Sequence, residues 1–277
     1  MSLPTRDQFE RFFRRLYHHW RLMWDEEARQ APKAVANSVP KAGSHLLARC
    51  LVLMGMVNSR QHAHYLHSQE HIARAFSRLK PGEFLTAHLP YSEFVAQLVV
   101  QTASRMVLII RDPRDVVVSH FYYVTYKDKH HRLRSYYQAL PSDDERLLTS
   151  IRGIEPPPGR EDLYLPNISQ RFRGLLAWQK HGAYLVRFED LVGPQGGGDQ
   201  EKQLEEIRNI ARHIGWPLTS SQVEEIAQRL FYTGSATFRK GTIGDWRNHF
   251  REIHKQAFKE VAGDLLVELG YEDSPNW

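Results

Sequence analysis

Four groups of residues in this chain have the types and spacing to hold an anion and move a proton. The first runs from Ser38 to Leu47, S-V-P-K-A-G-S-H-L-L, where a predicted strand ends and an apolar helical stretch, Leu46 to Val57, begins. A strand, a tight glycine turn and a helix start leave backbone N–H groups pointing outward, where the macrodipole favours negative charge. Gly43 lets the backbone come close, Ser44 and His45 offer side-chain donors, and Lys41 adds a full positive charge. The lysine precedes the glycine, so this is not the nucleoside-triphosphatase loop G-x-x-x-x-G-K-[ST]. A tight turn carrying a surface lysine is the plainer alternative.

The second group is I-I-R-D-P-R-D-V-V-V-S-H, Ile109 to His120. Arg111 stands at a strand edge and Ser119 two helical turns later, so a planar fork and a hydroxyl can share a phosphate monoester. Asp112 and Asp115 suit the N-terminus of that helix. The third group, Phe238 to Phe250, sets Arg239 and Lys240 beside Gly241 in a basic turn able to close over an anion, with Trp246 and Phe250 spaced to anchor the next helix. The fourth is His88 at the end of a predicted strand, the edge where open α/β sheets place ligands and where an imidazole can act as general base. Two phosphate-type sites on adjacent strand–helix turns suggest a ligand with two separated phosphates. His62, His64, His67 and His71 alternate with other residues in a way that suggests metal, but i,i+2 spacing misaligns ligands on a helix, so no metal site is expected.

These residues need a sheet to position them. The predicted strands are Ala34–Val39, Glu83–Ala87, Met106–Ile110 and Ala183–Phe188, each followed by a turn or a helical stretch, the signature of a parallel sheet flanked by helices. One domain spanning residues 1–277 is expected. An N-terminal helix over about residues 5–30 carries Phe9, Phe12, Phe13, Leu16, Tyr17, Trp20 and Met23 at helical spacing, capped by Thr5 or Asp7 and packed onto the domain. A membrane-surface helix is the minority reading, weakened by Asp25, Glu26 and Glu27. Tyr126–Pro166 reads as a long irregular insertion, either an acceptor loop or lid or a passive loop, and Gly193–Gly198 as a flexible surface loop.

Composition sets the outer bounds. The 277 residues are 42% hydrophobic and 25% charged, an ordinary globular profile that argues against long disorder. The single cysteine, Cys50, cannot form an internal disulfide and reads as a small core residue. No apolar run is long enough to span a bilayer and no signal-peptide core is present, so a cytoplasmic location is expected. A net charge of +5 favours an anionic partner: nucleic acid, acidic lipid or a phosphorylated small molecule. The motifs favour the last, with no nucleic-acid and no membrane partner expected.

Taken together, the motifs resemble those of the cytosolic-type sulfotransferases that use 3′-phosphoadenosine 5′-phosphosulfate (PAPS). Ser38–Leu46 is similar to that family's T-Y-P-K-S-G-T-T-W, Arg111–Ser119 to R-N-P-x-D-x-x-V-S, and Arg239–Phe250 to R-K-G-x-x-G-D-W-K-N-x-F. The resemblance implies an α/β, P-loop-like fold with a central parallel sheet, PAPS as co-substrate with PAP as product, no metal, and a small-molecule acceptor bearing a hydroxyl or amine. By the same resemblance Lys41, Ala42, Gly43, Ser44, His45 and Leu46 would hold the 5′-phosphosulfate end, with Lys41 stabilising the leaving group. Arg111, Ser119, Arg239, Lys240 and Gly241 would hold the 3′-phosphate, and Phe188 and Phe231 would lie on the adenine side. His88 would be the base and Tyr123 an acceptor contact. The chain departs from the pattern where Thr86 replaces a lysine two residues before the histidine, and Leu46 replaces an adenine-stacking tryptophan. The family's dimer motif is poorly kept in Arg247–Gln256, leaving the oligomeric state open. The competing readings are a nucleotide-dependent kinase, disfavoured by the missing triphosphate loop and magnesium residues, and a non-catalytic nucleotide or nucleic-acid binder, which gives no reason for His88.

Overall fold

In the computed structural model, which describes residues 6–234 and 240–277, the apolar run Met106–Ile110 lies within a strand buried on both faces, as a central parallel strand requires. Five parallel strands pair in one sheet among the described residues: β1 (Lys33–Ser38), β2 (Val57–His64), β3 (Glu83–His88), β4 (Ser104–Ile110) and β5 (Tyr184–Arg187). Their order is β2-β3-β1-β4-β5. The chain leaves β1 toward β2 and β3 and then crosses to β4 on the other side. A crevice therefore opens at the carboxyl ends of β1 and β4, where the direction of winding reverses.

Helices cover both faces. The chain begins with α1 (Arg6–Trp24) and α2 (Glu26–Gln30) ahead of β1, and on one face α3 (Ser44–Met54) packs its Leu47, Cys50 and Leu51 against Ala34, Ala36, Val107 and Ile109. The opposite face is covered by elements that include α4 (Gln69–Ser77), α5 (Glu93–Gln101) and α6 (Pro113–Tyr122), whose Phe76, Val95 and Val117 meet Val35, Leu85 and Leu108. Beyond α6 the chain forms α7 (Arg134–Ala139), α8 (Asp143–Arg152), α9 (Ile168–Leu176), α10 (Phe188–Leu191), α11 (Gln200–Ile214), α12 (Ser220–Leu230) and α13 (Glu252–Glu268). Trp246 and Phe250, 5.6 Å apart between ring centres, anchor the start of α13 in the core as their spacing predicts. No described helix is long and apolar enough to cross a membrane.

Four sequence expectations change. The helix predicted over Leu46–Val57 starts at Ser44 and stops at Met54, ended by Gly55 in the left-handed region, and Val57 opens β2. That strand escaped prediction because its residues, V-N-S-R-Q-H-A-H, are mostly polar and its pairing is interrupted. The register with β3 shifts between Asn58 and His62, and Arg60 sits at φ +62°. Tyr126–Pro166 is not irregular: it contains α7 and α8, and Val124, Leu133, Tyr137, Ile154, Leu163 and Leu165 form a small core of their own. Gly193–Gly198 is a packed turn, its Gly196 carbonyl accepting from Ile243 N at 3.2 Å, and any Cβ on Gly196 would strike Val192 at 2.3 Å.

The N-terminal helix also differs from expectation. Asp7 lies inside α1 rather than capping it, and Thr5 lies outside the described residues. His18 and His19 face Gly82 and Glu83 of the domain, whereas Phe13, Leu16, Tyr17, Trp20 and Met23 remain exposed. These five members of the apolar stripe point away from the core they were expected to join; the side chains of Phe9 and Phe12 lie outside the described residues.

A buried polar group ties the additional helices to the sheet layer. His120 on α6 is 5% exposed, and its Nδ1 lies 3.2 Å from Ser150 Oγ, which in turn lies 2.8 Å from Tyr137 OH. Burial, reinforced by Arg171, holds the His120 imidazole well below its ordinary pKa, so it is neutral in the folded chain. The unfolded chain binds that proton near pH 6.5 and the folded one does not. Stability is therefore full above pH 6.5 and falls as the pH drops below it, by up to about 1.4 kcal/mol per pH unit from this residue. Urea unfolding at pH 7.5 and 5.5 should show the loss, and His120→Asn should make the profile shallower; an unchanged slope contradicts the assignment.

Candidate active site

The strand ends bring the predicted groups to one edge. Register pairs Asn37 with Ala87 and Ser38 with Ile109, so the turns after β1, β3 and β4 leave the sheet side by side. In the turn after β1, Lys41 lies at φ +75° and Gly43 at φ +108°, and α3 starts without a side-chain cap on Gly43. The Ala42 amide between these two left-handed residues is used by Val39 O at 3.0 Å, and the uncapped first turn of α3 offers the N–H donors of the nest. A Cβ on Gly43 would lie 2.8 Å from the Phe188 ring and 3.1 Å from Ile109, so only glycine fits there without a shift.

Phe188 joins the first cradle to the second. Its ring touches the Gly43 position on one side and lies under the Arg111 guanidinium, 4.4 Å from ring centre to Cζ, on the other. Arg111 is 6% exposed; one terminal nitrogen donates to Thr242 O at 2.6 Å and to Asp115 at 3.2 Å. Its Nε has no protein partner, so a buried donor remains for an anionic group. The nearby Arg114 is different in kind. It is gripped by Asp112 at 2.8–3.2 Å, paired with Glu272 and stacked on Trp246 at 4.0 Å and Trp277 at 4.5 Å, so its role is structural.

Asp115 ties the C-terminal motif to this arrangement. Fully buried, it accepts from Gly244 N and Trp246 N, both at 2.9 Å, and faces Arg111. Burial raises its pKa, while Arg111 and the two amides oppose that shift. Lys240 pairs with Asp245 at 2.9 Å and stays half exposed beside Gly241, while Arg239 lies outside the described residues. Ser119 is half buried on α6, and Phe231, just after α12, packs on the same apolar cluster as Phe188 and Leu46.

His88 occupies the other side of Lys41's turn. Its Nδ1 lies 2.9 Å from Ser38 O and 3.1 Å from Ser38 Oγ. A carbonyl only accepts, so Nδ1 carries the hydrogen and Nε2 keeps its lone pair. Burial pushes the imidazole pKa down to about 3, with Ser38 opposing and His62 and His64 adding to the fall. Asn37 sets this geometry: its amide donates to Leu89 O at 2.9 Å and accepts from Leu89 N at 2.9 Å, fixing the residue after His88 against β1. Lys41 Nζ lies 3.8 Å above the centre of the Tyr123 ring, which places the predicted acceptor contact against the predicted leaving-group lysine.

Comparisons with known proteins bear on the family and the fold. A family model described as "Sulfotransferase domain" matches residues 10–270. The chain belongs to the sulfotransferase-domain family. Curated relatives include sulfotransferase 6B1 of Danio rerio, 22% identical over 215 residues covering 71% of this chain and 63% of that protein. Sulfotransferase 2A2 of Rattus norvegicus is 23% identical over 204 residues, covering 69% of this chain and 66% of that protein. The match thus spans less than two thirds of the length of these relatives. Among solved structures, mouse sulfotransferase SULT7A1 complexed with PAP has a TM-score of 0.60 at 18% identity, covering 90% of this chain and 93% of its own. Retinol dehydratase with androsterone and inactive cofactor PAP follows at 0.55 and 16%, covering 87% and 83%. Both share the α/β fold.

Within this sulfotransferase fold, sequence reasoning missed several residues. Asn37 gives no sign beyond being a polar residue in a buried strand. Asp115 reads as a helix-start acid, and its span to the turn at Gly244 is invisible in sequence. His62 and His64 lie on β2, not on a helix; there i,i+2 spacing puts them on one face, in register with Thr86 and His88. The described residues nevertheless contain no group of metal ligands.

Replacing Asp115 by Asn should lower the unfolding free energy by about 3 kcal/mol, because one of its two amide partners would then face an NH2 group in the core. Urea titration checks this, and a loss below about 1 kcal/mol contradicts the tie between α6 and the C-terminal turn.

Proposed function

We propose that this protein transfers the sulfuryl group of PAPS to a hydroxyl or amine of a small-molecule acceptor. The observation that carries the reading is the pairing of His88 Nδ1 with Ser38 O, which leaves Nε2 as a base beside the nest that holds Lys41. The PAP bound in mouse SULT7A1 and in retinol dehydratase supports the choice of nucleotide. The residues suit it: the N–H nest after β1 takes the 5′ end, and Arg111 with its unpartnered Nε takes the 3′-phosphate. Ser119, Arg239, Lys240 and the Gly241 amide belong to that second site, with Phe188 and Phe231 on the adenine side. No metal enters the reading.

PAPS supplies the sulfuryl group and a nucleotide leaving group. The acceptor oxygen or nitrogen attacks sulfur in line as the bond from sulfur to the bridging oxygen breaks, and Lys41 stabilises the charge arriving on that oxygen. The acceptor proton passes to His88 Nε2, giving an imidazolium whose Nδ1–H stays bonded to Ser38 O. Acceptors on the order of a small molecule, a cytoplasmic location and a single domain are consistent with this role. A kinase reading has no triphosphate loop behind it, and a passive binder has no use for an oriented imidazole.

Radiolabelled PAPS offered with a panel of alcohols, phenols, amines and sugars tests the reaction directly, and calorimetry with PAP tests the nucleotide site. His88→Ala should lower turnover by about 10²–10⁴-fold while PAP affinity stays within about threefold; near-normal turnover removes the base role. Gly43→Ala should do the reverse first, weakening PAP about tenfold or more through the clash with Phe188. Because burial holds His88 well below pH 6.5, the acid limb of kcat/KM should lie below pH 6. An acid limb at 6.5 or above would show that His88 titrates as an ordinary exposed imidazole.

A further inference from the structure

Three histidines near His88 have their protonation fixed in the opposite sense. His64 Nδ1 accepts from Leu66 N at 3.1 Å, His67 Nδ1 from His64 N at 3.3 Å, and His131 Nδ1 from Leu133 N at 3.2 Å. A backbone amide only donates, so each of these rings carries its hydrogen on Nε2 and offers it as a donor. His64 lies directly across from His88 in the β2–β3 register, with ring centres 5.6 Å apart, and His67 lies 5.9 Å from His64. His131 stands 5.9 Å from the Tyr123 ring that Lys41 covers.

Arg132, next in the chain, is held by the carbonyls of Asp162 and Tyr164, bonds that orient its charge without neutralising it. Its positive charge reaches His64, whose pKa is pushed down to about 4 by burial first and then by the neighbouring imidazoles and Arg132. Asp128 is the carboxylate that acts on His131. Metal is a poor occupant for such rings, because a metal takes the lone pair of one nitrogen while the other donates. Here the second nitrogen accepts.

We propose that the acceptor carries an anionic group, a carboxylate, sulfate or phosphate ester, bound by the Nε2–H donors of His64, His67 and His131 together with Arg132, beside the hydroxyl or amine presented to His88. This inference rests on the sulfuryl-transfer reading and names its substrate class. An oxyanion suits a site of imidazole donors and a guanidinium whose own hydrogen bonds go to carbonyls, and its charge stabilises protonation of the rings around it.

The test uses the complex of the full chain with PAP and matched probes that differ in charge. Calorimetry compares 4-hydroxyphenylacetate with its methyl ester, and methyl glucuronide with methyl glucoside. In at least one pair the anionic member should bind about tenfold tighter, with the advantage shrinking as salt is raised. His67→Phe and Arg132→Gln should each erase most of that advantage while leaving PAP affinity unchanged. If PAP itself fails to bind, the sulfuryl-transfer reading is at fault. If PAP binds but the neutral members bind equally well, or neither anionic probe binds, the anionic-acceptor proposal is overturned. A charge preference that survives both substitutions overturns the assignment to these residues.

Discussion

A carboxylate with no exposed surface, Asp115, holds the ligand edge of this protein together. Removing it from water is costly, and it is compensated by two backbone amides from the Gly244–Trp246 turn and by the Arg111 guanidinium. That compensation fixes geometry. It draws a segment more than a hundred residues downstream onto the start of α6, and it leaves Arg111 spanning Thr242 O, the Phe188 face and the space where its Nε points. Arg114, three residues on, is already satisfied by Asp112 and Glu272. Two arginines in one short motif thus divide into one that is saturated and one that keeps a buried donor, according to which carboxylates reach them.

The parts legible in the sequence are those encoded locally. An N–H nest needs a strand end, a glycine and a helix start within a few residues, and Ser38–Leu47 contains all three. The apolar run of β4 marks a strand covered on both faces, and Trp246 with Phe250 marks a helix anchored in the core. His88 is legible because it ends a strand in a sheet whose other strand ends carry basic turns. For the nest, the strand and the helix anchor, the sequence neighbours of a residue are also the groups that determine its place, whereas the tautomer of His88 is set by Ser38, far from it in the chain.

What stayed hidden depends on partners far away in the chain. β2 gives a weak signal because it lies at a sheet edge, carries polar residues and is broken at Arg60; its histidines acquire meaning only when pairing sets His62 beside Thr86 and His64 beside His88. The departure of Thr86 from the family's lysine is likewise explained across strands, since its Oγ1 lies 3.0 Å from His62 Nδ1. Amphipathic spacing reveals the stripe on α1 but not its direction, and with His18 and His19 packed on the domain its members from Phe13 to Met23 face outward. Composition suggested an irregular 126–166 segment because prolines and charges outnumber apolar residues there. The few that exist are placed to meet one another.

The histidines show why residue type alone underdetermines chemistry. His88 and His64 are the same side chain at facing positions of paired strands, yet one is addressed at Nδ1 by a carbonyl and the other by an amide. The carbonyl makes Nε2 a base; the amide makes Nε2 a donor. Both backbone groups are placed by hydrogen bonds of the fold itself. Ser38 O is aligned with His88 through the Asn37 clasp on Leu89, and Leu66 N belongs to the turn that ends β2. An imidazole with a free choice of tautomer could serve either role poorly, since the wrong form would be populated part of the time. Fixing the two forms across one strand pair sets a lone pair and an N–H donor on rings whose centres lie 5.6 Å apart, the separation of proton removal from anion recognition that the proposed reaction needs. A sheet edge can therefore assign different functions to identical side chains.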